Sequence, residues 1–247
     1  MIFMSEAKLF YIDSKRYSFE TVISIIVFVI IFCGSFVGLA KAIEGVNQLS
    51  MAVGYLSYII VSSVVNSSVK TVGDHLKYGL IEVIYATSRS YLKLLHTQLA
   101  VRFIYDMFLA LLLALVMTTF VDFSAVSLMG FFSSLFIVFS AIPSAVGLGL
   151  ILNALQIRFK KTEILIVISL VVIITLVSLD FHNSWILAFL PFVMPVSLAK
   201  LAITGQSVAI HLVALTILQS VVYWVIGWFV YQKVLKNVKH LGILGHA

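Results

Sequence analysis

The chain has 247 residues, of which 62% are hydrophobic and 11% charged, whereas a soluble domain carries about 25% charged residues. The apolar excess falls into long uncharged runs, which argues against one large soluble core. The net charge of +6 is spread over segments between those runs, so it reads as a topology signal rather than a nucleic-acid surface, and the single Cys33 excludes an internal disulfide or a cysteine-built metal site.

The uncharged runs cover 21–40, 45–69, 107–121, 123–157, 164–179 and 201–232. A bilayer core about 30 Å thick takes about 20 helical residues to cross. Lipid offers no partner to backbone N–H and C=O groups, so a crossing is a helix or part of a closed barrel. These runs do not alternate apolar and polar residues as barrel strands do. The expected fold is therefore an all-α integral membrane protein, a single transmembrane domain over 1–247 with six spans at 20–40, 48–69, 98–120, 127–152, 163–180 and 208–231.

Residues 1–19 are mixed in character and lead into the first run. That run is long enough to span and ends in no small-x-small site, so no cleaved signal peptide is expected. Between spans two and three lies 77–95, KYGLIEVIYATSRSYLKLL, too charged to cross and too apolar for an ordinary loop. Tyr78, Ile81, Ile84, Tyr85 and Ser88 recur at helical spacing, with Glu82 off that face. A short helix with such a stripe needs a cover, which spacing leaves open between lipid headgroups and a protein.

The run 123–157 exceeds one straight crossing. A single tilted helix is expected, kinked near Pro143, with the Ser140 and Ser144 hydroxyls available to backbone groups that the proline frees. Gly147 and Gly149 in GLGL allow close helix packing. The segment 181–206 is also nearly uncharged, but Pro191 and Pro195 interrupt it. It is expected to enter the outer leaflet and return as a broken re-entrant pair, with an outer surface loop as the alternative.

Basic residues set the orientation. With six spans and the N-terminus in the cytoplasm, fourteen Lys and Arg lie inside and two, Lys41 and Lys200, lie outside. A seventh span through 181–199 would change this to twelve against four. Both termini and the 77–95 segment are therefore expected in the cytoplasm.

The expected middles of the spans carry no Asp, Glu, Lys or Arg. Asp106 follows Arg102 by one helical turn near an expected inner edge, a spacing that suits a local ion pair. His211 is expected near an outer edge. The six histidines show no metal-ligand spacing. There is no Gly-x-x-x-x-Gly-Lys-Ser/Thr phosphate loop, no Gly-x-Ser-x-Gly and no His-x-x-Glu-His. The chain is thus not expected to be an enzyme, and ATP hydrolysis is not expected from it.

The 77–95 stretch resembles the cytoplasmic coupling segment of the ABC type-2 exporter permeases, which reads Gly-Thr-Leu-Glu-x-Leu and, after a few residues, Pro-x-Ser-Arg. Gly79, Leu80 or Ile81, Glu82, Ile84, Ser88 and Arg89 match it; Leu80 replaces the threonine and Thr87 the proline. Residues 8–26 resemble that family's amphipathic N-terminal helix running into span one, with Arg16 and Tyr17 as its Arg-Tyr pair. The resemblance implies a half-transporter that pairs with a second permease subunit, identical or related, in the cytoplasmic membrane of a bacterium. Two copies of a separate ABC ATPase would supply ATP and Mg, while this chain would bind no cofactor. Tyr78, Ile81, Glu82, Ile84, Tyr85, Ser88 and Arg89 would contact the ATPase. The apolar interior suits amphipathic or hydrophobic cargo, such as a peptide, drug or lipid-like molecule. A channel or ion-coupled carrier, and a non-transport protein such as an immunity or scaffold factor, are the other readings.

Overall fold

The computed structural model describes residues 2–17, 47–79, 81, 91–117, 119, 121, 126–159, 163–178 and 185–240, with 19, 20, 22, 23, 25–27, 29–31 and 34 between the first two segments. Among them the regular structure is entirely helical: α1 (Ile2–Arg16), α2 (Gln48–Lys77), α3 (Tyr91–Met117), α4 (Leu128–Ser140), α5 (Ile142–Phe159), α6 (Glu163–Ser178), α7 (Trp185–Ala188), α8 (Val193–Ile203) and α9 (Ile210–His240). Four helical stretches, Gln48–Lys77, Lys93–Val116, Leu128–Phe159 and Ile210–Val238, are long and apolar enough to cross a membrane. This is compatible with a multi-pass, all-α membrane protein. The described residues from 19 to 31 are helical as well, but 21, 24, 28, 32 and 35–40 of the expected first span, and Cys33, lie outside the described residues.

Helix α2 is the hub, packed against α3, α5, α6 and α8. It starts where the Asn47 side chain accepts from the Leu49 and Ser50 N–H groups, at 2.9 and 3.4 Å, a Ser/Asx-type N-cap. It runs eight residues beyond the expected boundary at 69. His75 and Lys77 do not stop it; Gly79 does, with φ +64° in the left-handed region that glycine reaches without a Cβ clash. Tyr78 therefore belongs to the turn that closes α2. Likewise 91–95 are helical and belong to α3. The connection between the two helices is shorter than the 77–95 segment read from sequence.

The expected long helix at 127–152 is present as α4 and α5, which meet at Ala141, two residues before Pro143. Pro143 has no N–H to return to the Phe139 carbonyl. Around the bend the Ser140 hydroxyl donates to the Ile137 carbonyl at 2.6 Å and the Ser144 hydroxyl to the Ala141 carbonyl at 2.7 Å. The two serines flanking the proline thus bind carbonyls of the bend.

Helices α5 and α9 cross with their backbones in contact. A Cβ on Gly147 would stand 2.6 Å from the Tyr223 carbonyl carbon, and one on Gly227 would stand 2.7 Å from the Gly147 carbonyl carbon. Gly149 faces α2, where a Cβ would meet Ser68 at 3.0 Å. The inward face of α9 is Thr216, Ser220, Gly227, Tyr231, Leu235 and Val238, while Leu218, Val222 and Phe229 face outward. Over its first half, Thr216 to Gly227, small and polar residues face inside and large apolar ones outside, the pattern of helices that associate within lipid.

Between α7 and α8 the chain turns at Pro191 and Phe192. Phe192 has φ +72°, an uncommon value for a bulky residue, and is almost fully buried. A proline followed by a residue at positive φ is the arrangement of a type II turn. Helix α8, at 11 residues, is about 16 Å long and too short to cross a bilayer core alone. Residues 181–184 lie outside the described part, so the re-entrant segment is described from Trp185 onward.

Candidate functional site

Three features are candidate sites: the anchor of the α2–α3 connection, the turn at 189–192, and a groove between α2 and α3.

The anchor lies at the end of the bundle where α2 finishes and α3 begins. Val72, Ile81, Tyr91, Leu95 and Leu99 form one buried cluster with Leu150, Ala154 and Ile157 of α5 and Tyr231, Leu235 and Val238 of α9. Within it the His75 Nδ1 and the Tyr91 hydroxyl are hydrogen-bonded at 3.0 Å, with the two rings edge to face. The chain thus leaves and re-enters the bundle through points that are pinned to each other and to the α5–α9 crossing.

The residues expected to contact an ATPase divide here. Tyr78 is 68% exposed. Ile81 is 1% exposed and belongs to this chain's own core, so its side chain offers no surface to a partner. Period alone placed both on one stripe; the glycine turn between them breaks that stripe. Glu82, Ile84, Tyr85, Ser88 and Arg89 lie outside the described residues. Arg16 and Tyr17 are exposed at the end of α1, with the Arg16 guanidinium carbon 5.7 Å from the centre of the Tyr17 ring. Helix α1 packs on α3 through the Phe10–Tyr105 ring pair and through Gln98 Nε2, which donates to Glu6 Oε2 at 3.3 Å.

The turn at 189–192 exposes carbonyls that the broken helices cannot satisfy. Helix α9 supplies the donors: Gln219 Nε2 reaches the Ala188 and Leu190 carbonyls at 2.9 and 3.0 Å, and the Tyr223 hydroxyl reaches the Phe189 carbonyl at 2.6 Å. Gln219 and Tyr223 are one helical turn apart in a mostly apolar part of the helix, and that spacing of two hydrogen-bonding side chains is the available signal for them. Pro191 sits in the turn and Pro195 in the first turn of α8, where a missing N–H costs no helical bond. Lys200, expected on the outer side within the re-entrant segment, lies in the last turn of α8. Its Nζ donates to the Val177 carbonyl in the last turn of α6 at 3.3 Å, a cation at the negative end of a helix.

The groove between α2 and α3 holds a cavity of about 560 Å³ lined by Tyr55, Tyr58, Ser63, Asn66, Tyr105 and Asp106, with apolar side chains completing its wall. An adjoining cavity of about 500 Å³ shares Ser63, Asn66, Tyr105 and Asp106 and adds Phe10, Ser67, Lys70 and Arg102. Asp106 accepts from the hydroxyls of Ser67, at 3.5 Å, and Ser63. It stands near the middle of the described helix, Tyr91–Met117. A third cavity of about 550 Å³, between α2, α3 and α4, is almost wholly apolar.

Among the described residues no group of three or more His, Cys, Asp or Glu is placed to hold a metal ion. No known protein-family model matches the chain, and no curated protein is significantly similar to it.

Proposed function

We propose that this chain is the membrane-spanning subunit of an ATP-driven ABC exporter, forming the translocation pathway and coupling to a separate ATPase subunit that docks on the α2–α3 connection. The observation that carries this reading is the anchor: a short connection whose two ends are buried in the same cluster as the α5–α9 crossing. A push on such a connection moves helices, whereas a push on a slack loop would be absorbed by the loop. The exposed Tyr78 beside it supplies apolar surface for a partner.

In this reading two permease subunits, identical or related, face each other in the cytoplasmic membrane with both termini and the connection on the cytoplasmic side. The 181–206 segment dips into the outer leaflet, its turn satisfied by Gln219 and Tyr223. ATP and Mg bind to two copies of the partner ATPase. The cargo is amphipathic or hydrophobic.

The purified chain is then expected to hydrolyse no ATP and to move no cargo against a gradient in proteoliposomes, and to gain both activities with its ATPase. Robust hydrolysis by the chain alone would overturn the reading. One observation favours a second reading, an ion-coupled carrier: the Asp106 carboxylate lies mid-helix beside a cavity, where ionisable residues are costly and functional. Gradient-driven uptake by the chain without any ATPase separates the two.

A further inference from the structure

We propose that the groove between α2 and α3 is a binding site for an amphipathic organic cation, with Asp106 as its counter-ion and Tyr55, Tyr58 and Tyr105 as its aromatic wall.

The cavity of about 560 Å³ is within the range of small-molecule sites, about 300–1,000 Å³. Asp106 is the one charged side chain on its wall among the described residues. The hydroxyls of Ser63 and Ser67 hold the carboxylate from α2. Tyrosine rings attract a cation through the negative faces of their π-systems while presenting an apolar body to the rest of the ligand. Apart from Ser62 and Asn66 the remaining wall is Ile and Leu, so the site as a whole fits one positive centre attached to a hydrophobic body. An anion of the same shape would be repelled by the carboxylate.

The adjoining cavity adds a competitor. Arg102 lies one helical turn before Asp106 and interacts with it electrostatically, and Lys70 lines the same space. A bound cation shares the carboxylate with Arg102. Removing Asp106 and removing Arg102 should therefore change affinity in opposite directions, which a merely structural role for either residue would not produce. That such cations are exported cargo rests on the exporter reading; that they bind here does not.

The test uses the full chain alone in lipid nanodiscs, titrated against the cationic dye rhodamine 6G by fluorescence polarisation, with empty nanodiscs as the baseline and unlabelled tetraphenylphosphonium as competitor. Saturable binding above the baseline, displaced by tetraphenylphosphonium, is expected. Asp106→Asn, nearly the same size, should weaken it at least tenfold, Tyr58→Leu several-fold, and Arg102→Gln should tighten it about threefold or more. Size-exclusion profiles matching the wild type establish that each variant is folded; if Asp106→Asn misfolds, the opposed effects of Tyr58→Leu and Arg102→Gln decide. Binding no greater than in empty nanodiscs, equal affinity for Asp106→Asn, or weakening by Arg102→Gln would overturn the proposal. If the cation binds as expected but no ATPase stimulates transport, the groove site stands and the exporter reading falls; if an ATPase drives transport while Asp106→Asn binds like wild type, the reverse holds.

Discussion

The α5–α9 crossing and the α2–α3 groove are two helix contacts built on opposite principles. At the crossing, Gly147 and Gly227 let the backbones touch, and the buried cluster below seals the contact with Tyr231, Leu235 and Ile157. Along the groove, tyrosines, serines and Asp106 line open space between the helices. The chain's small residues thus build the part that stays together, and its polar residues line the part with room for a ligand. The α2–α3 connection joins the two, because its ends are fixed in the cluster at the crossing while α2 and α3 themselves form the groove.

The largest expected effect comes from closing the crossing to close approach. Gly147→Leu or Gly227→Leu sets a side chain against a partner backbone that cannot yield. Overpacking typically costs about 1–3 kcal/mol, and occasionally more. Contact with backbone rather than with flexible side chains puts these variants at or above the top of that range. Thermal unfolding in detergent should show a clear fall or an absent folded peak, and a wild-type transition would mean that the helices do not meet there.

Next in size is the turn at 189–192. Gln219→Leu removes the donor to two carbonyls at once, and each buried polar group left without a partner costs about 1–3 kcal/mol. Tyr223→Phe removes one bond and should cost less. The order of the two melting temperatures, with Gln219→Leu lower, is the check; the reverse order would contradict this account of the turn.

A smaller effect, about 1 kcal/mol, is expected from Tyr91→Phe, which keeps the ring in the cluster and deletes only its hydroxyl contact with His75. It should lower the melting temperature slightly. Under the exporter reading it should also reduce ATP-driven transport more than it reduces ATP hydrolysis, since it loosens the anchor. Equal losses in both would separate the anchor from coupling.

Much of this architecture was legible in the sequence. Uncharged runs located the four long apolar helices, and Pro143 with its flanking serines located the bend, displaced to Ala141. The two prolines at 191 and 195 marked the break between α7 and α8. Helix ends were harder, because charge was taken as a boundary. His75 and Lys77 remain helical since backbone propagation continues until a residue such as Gly79 permits the left-handed turn. That error moved Tyr78 and Ile81 onto one face, where the structure separates them by burial. Asp106, read near the inner edge of a span counted from 98, lies mid-helix because α3 extends at least back to Tyr91. The contacts of Gln219, Tyr223 and Lys200 are not legible beyond the one-turn spacing of the first two, because their partners are carbonyls distant in sequence, and a carbonyl leaves no mark on the residue type.

Under the exporter reading a separate ATPase grips the α2–α3 connection from outside while the anchor holds it from within, and the exposed Tyr78 is where this is most directly tested. Tyr78→Asp touches no buried cluster, so the chain should fold, melt and insert as wild type. A charge placed in an apolar contact should nevertheless reduce recovery of the co-expressed ATPase in a pull-down by about tenfold, equivalent to about 1.4 kcal/mol. Loss of the ATPase with an unchanged melting temperature is the predicted result; equal recovery of the ATPase by wild type and Tyr78→Asp, with full ATP-driven transport, would contradict the claim.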